Sequence, residues 1–463
     1  MLALAFFMVM VDVTVVNIAL PTIARELNFS ANNLQWVITA YSITFGGFLL
    51  LGGRAADLFG SRRIFMTSVA FFAGASLLCG LAQSELWMII ARGIQGLAAA
   101  FMTPTALSIV LTEFKEGPER NKALGVWSAV AASGAAVGVL LGGVLTEYLG
   151  WRWNFFVNVP VGFLVVIAAS YLLPHHLGES KKKIKLDQFG ALTATGGLMS
   201  LVYALSRVPV SGWGSKSVLG FLALSALLLT IFLRDEAKSD HPMLPLRLFR
   251  DRNVAGGNLI ALIIACSMFA MFFFMTLYVQ TILGFSPIKA GVSFLIIPFI
   301  IAIFAGIATQ LVARVGYKPL LIVGPFLLGI GLLINANMLE VGGDYWHNVA
   351  PGLIVAGMGM GLSFVPLTLA ATSGVAHEFS GLVSGVLNTA QQIGGAIGLA
   401  VLSAVAATST KHALATGSSA PQARIDGFQT GFQIAVFFAV AAMLVALFVL
   451  KNKRVRASEA SMA

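Results

Sequence analysis

Runs of about twenty apolar residues follow one another from end to end of this chain. A helix of that length covers about 30 Å, the hydrocarbon thickness of a bilayer. Of the 463 residues, 58% are hydrophobic and 10% are charged. Soluble domains carry about 25% charged residues, and no polar stretch here is long enough for a separate soluble domain of ~50 residues. The pattern predicts an all-α polytopic membrane protein with little outside the bilayer.

Fourteen spans are expected, at 2–21, 34–53, 64–83, 86–111, 123–146, 154–174, 188–207, 217–234, 254–280, 288–312, 319–338, 349–373, 382–407 and 430–450. Basic residues set orientation, because Lys and Arg collect in cytoplasmic loops. With both termini cytoplasmic, 21 of the 29 basic residues fall on the inner side, including Arg54, the 181–185 cluster and the tail after Lys451. Seven fall outside, from Arg25 to Arg424, and Arg92 lies within a span. The net charge of +10 therefore belongs to short loops beside the membrane and does not indicate a nucleic-acid partner. The first run lacks a charged leader and a clear A-x-A site, so it reads as a retained helix. Cys79 and Cys266 lie in separate apolar runs as small packing residues, without a disulfide framework.

A faint repeat divides the chain. Gly60 follows the second span with Arg62 two residues on, and Gly316 follows the tenth with Lys318 two residues on. Such repeats are common in secondary transporters. The two spans are equivalent if the seventh and eighth are an inserted pair. The expected organisation is an N-terminal six-helix half at 1–174, the inserted pair and flanking cytoplasmic loops at 175–253, and a C-terminal six-helix half with a basic tail at 254–463.

Asp12 is an acid near the middle of the first span, where a charge costs at least ~2.5 kcal/mol on insertion scales. Such acids commonly face a cavity. Burial disfavours the charged form, so an acid here binds a proton from one side and yields it when a cation or a changed environment arrives. The alternative is an acid paired for folding alone. Arg92 is the one basic residue well inside a span, with Gln95 and Gly96 on the same helix face. It needs Asp12, a carbonyl or a water as partner, and the sequence does not choose among them. Asp57 lies between Gly53 and Gly60 and is followed by Arg62 and Arg63. An acid there satisfies exposed amides at a helix N-terminus, or the segment is a plain topogenic turn. Gly134, Gly138 and Gly142 recur every four residues, with Gly143 beside them, so one side of the fifth span is nearly flat and suits close helix packing.

Together these segments resemble the major facilitator superfamily, in its fourteen-helix drug:proton antiporter family. Asp12, Thr14, Asn17, Ala19, Leu20 and Pro21 match that family's first-helix motif. The 53–63 segment matches the superfamily's loop motif, although Ala55 and Ser61 replace a usual Leu and Arg. Arg92, Gln95 and Gly96 match the fourth-helix motif. The glycines at 134–143 resemble the antiporter motif, with Val139 where Pro is usual. Asn388, Gln391, Gln392, Gly394 and Gly395 resemble the thirteenth helix. The resemblance implies a proton-relay role for Arg92 beside Asp12. It also implies a cytoplasmic latch at Gly53, Asp57, Gly60, Arg62 and Arg63, and close contact between halves at the fifth-span glycines.

Substrate contacts are expected from Asn17, Trp36, Tyr41, Gln95, Met268, Phe272, Met275, Asn388, Gln391 and Gln392, since Met and aromatic side chains repack around varied ligands. In the ninth span about a third of the Met and aromatic side chains should face inward and the rest lipid. Buried amides serve either as contacts or as glue between helices. No metal site is expected: His175 and His176 are adjacent at a helix end, without a third ligand. No Walker motif or nucleophile–base pair is recognisable, so neither ATP drive nor an enzyme is expected, and the resemblance implies the proton as coupling ion. The expected protein is a monomeric inner-membrane exporter of lipophilic, cationic compounds, in contact with membrane lipid. Its rival is a dedicated exporter of one endogenous product, such as an antibiotic or lipid.

Overall fold

The computed structural model describes the chain except residues 31–32, 115–117, 175–186, 240–241, 243, 245, 373–379 and 453–463, and except the side chains at 57, 118, 120, 121, 124, 128, 131, 132, 380 and 381. The side chain of Asp57, His175, His176, the 181–185 cluster and the basic tail beyond Asn452 lie outside the described residues.

The described residues form helices and short connections. In order they are α1 (Leu2–Glu26), α2 (Trp36–Phe59), α3 (Ser61–Gly80), α4 (Glu85–Glu113), α5 (Pro118–Tyr148), α6 (Trp153–Phe156), α7 (Asn158–Leu172), α8 (Gln188–Ser211) and α9 (Lys216–Lys238). Then come α10 (Arg252–Thr281), α11 (Pro287–Phe294), α12 (Ile296–Val315), α13 (Tyr317–Met338), α14 (Tyr345–Asn348), α15 (Ala350–Thr372), α16 (Ser380–Ala415) and α17 (Ala420–Phe448). Among the described residues 13 helical stretches are long and apolar enough to cross a bilayer. The shorter apolar stretch Ser133–Tyr148, within α5, corresponds to the remaining expected span. The chain is a multi-pass membrane protein.

It packs as two compact units, one of Met1–Ser200, Ala223–Pro245 and Ser286–Val292, the other of Leu201–Leu222, Leu246–Phe285 and Ser293–Ala463. In the first unit, close helix approach rests on small residues. A Cβ on Gly52 would fall onto the Ala100 carbonyl of α4, and one on Gly162 of α7 would stand 2.7 Å from Ala73 of α3. In the second, Gly394 and Gly398 of α16 press on the α10 backbone at Leu262 and Cys266, and Gly359 of α15 presses on the α13 backbone at Leu328.

Several expected boundaries shift for readable reasons. The second span does not end at 53: α2 runs on to Phe59, and α3 starts at Ser61. The whole joint is Gly60, at φ 87°, a conformation that costs an L-residue strain and glycine little. Gly316 joins α12 to α13 in the same way at φ 82°. The two glycine joints of the sequence repeat thus share one backbone device. The sixth span breaks at Val157, between α6 and α7, and the tenth breaks at Leu295, between α11 and α12. Each break precedes a proline in the first turn of the next helix, Pro160 and Pro298, where the missing N–H is tolerated. The thirteenth span extends past 407 to Ala415.

Candidate functional site

Asp12 lies midway along α1 and is fully buried, as is Arg92 on α4 at 2% exposure. The Arg92 Nη1 donates to Asp12 Oδ2 at 2.6 Å. The same guanidinium donates from Nε to the Val37 carbonyl on α2 at 2.9 Å and from Nη1 to Gln95 Oε1 at 2.7 Å. Its carbon stands 4.3 Å over the Tyr41 ring, a cation–π contact of ~2 kcal/mol when desolvated. Arg92 and Gln95 reach this point together because residues three apart share a helix face. Gly96 lets α2 come close, since a Cβ there would stand 2.9 Å from the Tyr41 carbonyl carbon.

The second carboxylate oxygen is held by amides. Gln95 Nε2 donates to Asp12 Oδ1 at 2.8 Å, and Asn158 Nδ2 from α7 donates to the same oxygen at 3.2 Å. Both amides also donate to Ser76 Oγ on α3, at 3.2 Å and 3.0 Å. Ser76 in turn donates to the Phe155 carbonyl at 2.9 Å. Donors from α4 and α7 therefore meet at the α1 carboxylate, with α2, α3 and α6 behind them, and each of its oxygens has a donor. The set suits an anion. Hydrogen bonds to a charged group contribute ~1.5–3 kcal/mol each, against a desolvation penalty of several kcal/mol per ion.

Asp12 does not face a cavity here, as acids at such positions commonly do. It is sealed in a polar cluster, because α5 closes over α1 from the other side. Cβ atoms on Gly134 and Gly142 would stand 2.7 Å from Met10 Cβ and 3.0 Å from Val15 Cα, and one on Gly138 would fall onto the Thr14 hydroxyl. The glycine face therefore beds on the turns of α1 that carry Asp12. Gly143 points elsewhere, 2.7 Å from the Pro287 carbonyl by the same measure. Glu147 Oε2 accepts from the Ile288 amide at 2.9 Å next to it.

In the 53–63 segment Gly53 faces Pro104 Cβ at 3.7 Å across the α2–α4 contact. Arg62 Nη2 donates to the Ser170 carbonyl near the end of α7 at 2.8 Å, and Arg63 is exposed. The expected substrate contacts scatter. Gln95 and Tyr41 belong to the Asp12 cluster, and Trp36 is buried near it in sequence on α2. Asn17 is half-buried, with Nδ2 on the Val13 carbonyl at 3.0 Å and Oδ1 without a partner. Met268 and Phe272 are half-buried on α10, whereas Met275 is fully buried. The expectation that most ninth-span Met and aromatic side chains face lipid is not met: Met271, Phe273, Phe274, Met275 and Tyr278 are all buried. Phe274 packs against Phe428 and Phe432 of α17 at centroid distances of 5.6 Å and 5.7 Å. On α16 Asn388 is exposed, and Gln391 and Gln392 are half-buried.

Sequence reasoning missed Ser76 and Asn158. Each is a small polar residue inside an apolar run, the same signal that marked Asp12, but weaker and far more common.

The sequence matches the Major Facilitator Superfamily over residues 2–399. The chain belongs to the major facilitator superfamily. Among relatives of this facilitator, the puromycin resistance protein of Streptomyces alboniger is 40% identical, over 98% of this chain and 91% of that one. The cephamycin export protein of Amycolatopsis lactamdurans is 37% identical, over 88% of this chain and 84% of that one. A bacterial homologue of the human lysosomal transporter Spinster, solved inward-facing and occupied, shares the fold at a TM-score of 0.65 and 17% identity, covering 97% of this chain and 95% of that one. Membership in this superfamily implies transport and not catalysis.

Proposed function

We propose that this facilitator is a proton-coupled antiporter that exports lipophilic, cationic compounds across the inner membrane by alternating access. The observation that carries this reading is the buried Asp12–Arg92 pair at 2.6 Å, at mid-depth of α1. A proton on Asp12 removes the charge that holds Arg92. The guanidinium keeps the Val37 carbonyl, Gln95 Oε1 and the Tyr41 ring, so it is not stranded when the carboxylate is neutralised. The pair is thus a two-state element that a proton biases. In this reading both termini face the cytoplasm, and residues 1–174 and 254–463 are the two halves, with 175–253 inserted. The monomer needs no cofactor besides the proton. Exchange of one proton for one monovalent cation moves no net charge, so its drive is the pH difference alone, worth ~1.4 kcal/mol per pH unit. One coupling carboxylate therefore supports a roughly tenfold gradient of a monovalent cation per pH unit.

The test is reconstitution in liposomes with an internal pH dye, an imposed proton gradient and ethidium as substrate. Ethidium-dependent proton movement is expected in the natural protein and is lost in Asp12→Asn, with insertion intact. Uphill ethidium transport that survives in Asp12→Asn would sink the coupling assignment. A second reading, a dedicated exporter of one endogenous antibiotic, is favoured by the relatives named for puromycin resistance, cephamycin export and tetracenomycin C export. It predicts proton movement with one member of an antibiotic panel and none with ethidium.

A further inference from the structure

Ser76 touches neither charge of the Asp12–Arg92 pair, yet its geometry fixes which groups do. A serine hydroxyl has one proton to give and two lone pairs. Here the proton goes to the Phe155 carbonyl, 2.9 Å away at the end of α6. The lone pairs take Gln95 Nε2 at 3.2 Å and Asn158 Nδ2 at 3.0 Å. Both amides are therefore obliged to turn their N–H side toward Ser76, and Asp12 Oδ1 lies on that same side at 2.8 Å and 3.2 Å. A flipped amide would set its oxygen against both the serine lone pairs and the carboxylate. The Gln95 oxygen is then left facing Arg92 Nη1 at 2.7 Å. Phe155 and Asn158 lie three residues apart across the α6–α7 joint, hence on one face.

We propose that Ser76 and Asn158, with Gln95, form a positioning clamp that holds the Asp12 carboxylate opposite Arg92 and so sets the pH dependence with which the protein exchanges its proton. The proposal rests on the coupling role assigned to Asp12 above. Ser76 and Asn158 are positioning residues: they act through the carboxylate and need touch no substrate. The titratable groups packed around Asp12 are Tyr41 from α2, Cys79 from α3 and Arg92 from α4. The α5 face over α1 offers glycines, and α7 offers the Asn158 amide. With Arg92 unchanged, the amide donors are the adjustable part of the environment.

The experiment is the pH dependence of ethidium-driven proton movement in liposomes. Asn158→Leu removes one donor to the anion and keeps the number of side-chain heavy atoms. The midpoint should move to higher pH by about one unit, since the lost hydrogen bond favours the neutral acid. Ser76→Ala should move it the same way by less, because the amides remain but are free to turn. The double variant should shift by less than the sum, as expected for groups acting as one unit. Asn158→Gln, which keeps the amide, should return toward the natural midpoint, and ethidium affinity should be unchanged throughout. If Asn158→Leu fails to insert, Asn158→Ser draws the donor out of reach and reads the same midpoint. Inserted variants with the natural midpoint would overturn the clamp. That result beside an uncoupled Asp12→Asn leaves the exporter reading standing, whereas an Asp12→Asn that still couples removes both.

Discussion

Replacing Gly142 by Ala puts a methyl group 3.0 Å from both Cα and the carbonyl oxygen of Val15. Comfortable carbon contacts begin near ~3.5 Å. The atoms in the way are backbone and cannot rotate aside, so α5 has to lift from α1 by some tenths of an ångström. Overpacking of this kind costs ~1–3 kcal/mol. Ala also contributes ~0.5–1 kcal/mol over Gly inside a helix. The difference is a net loss of up to ~2.5 kcal/mol, centred on ~1 kcal/mol. Gly125 on the same helix is a built-in control, because nothing lies within 4 Å of its would-be Cβ; Gly125→Ala should show the propensity gain alone. Thermal unfolding read by a thiol-reactive fluorophore suits both, since Cys79 and Cys266 are free and buried until the fold opens. The two variants should move the melting temperature in opposite directions. The same stretch of α1 presents Asp12, so Gly142→Ala should also lower uphill ethidium transport. A Gly142→Ala protein that melts at or above the natural temperature would refute the claim that this contact sets the α1–α5 spacing.

Breaking the buried pair should be asymmetric. Arg92→Leu leaves Asp12 without its cation and should cost ~3–5 kcal/mol, while Asp12→Asn/Arg92→Leu should melt higher than Arg92→Leu alone; a double variant that melts at or below the single would contradict the pairing energetics. Outside the spans, exposed Asp344 caps α14 through the Trp346 and His347 amides at 2.7 Å and 3.2 Å. The hydrogen bond from the His347 ring, first, and these amides hold its carboxyl below the usual carboxylate range. A lowered carboxylate supports the cap above its ordinary pKa of ~3.9, and that support fades as pH falls through the lowered value. Asp344→Ala should therefore speed hydrogen exchange across Tyr345–Asn348 at neutral pH, and the natural protein should reach the same rate, corrected for intrinsic exchange, only in acid. Equal rates at neutral pH would remove the cap.

Much of the fold was legible because bilayer crossing is a local property. A run of apolar residues declares itself, and so does an acid or a guanidinium inside one. Asp12 and Arg92 were both visible for that reason. Helix ends were read less well at two kinds of place. The segment 54–59, with Arg54 and Asp57, reads as a loop, yet α2 continues through it, because charge leaves the membrane before the helix has to stop. The spans 154–174 and 288–312 are expected as unbroken, and the structure starts a new helix just before Pro160 and Pro298 within them. The α10 aromatics were divided wrongly between cavity and lipid, since a side chain on a helix hydrophobic all round carries no periodicity to say which face meets α17.

The sequence by itself determined that the chain crosses a membrane many times, that one acid and one guanidinium lie at depth, and that α5 carries a flat glycine face. Each follows from the cost of a charge in hydrocarbon or from the absence of a Cβ, and neither depends on what lies across the gap. Tertiary structure alone decided that Arg92 pairs with Asp12, that Ser76 and Asn158 complete the carboxylate's shell, and that the glycine face beds on α1. Those partners are up to 146 residues apart in the chain. Ser and Asn are cheap enough in a membrane helix to occur without function, so only their convergence on one buried oxygen separates them from the rest.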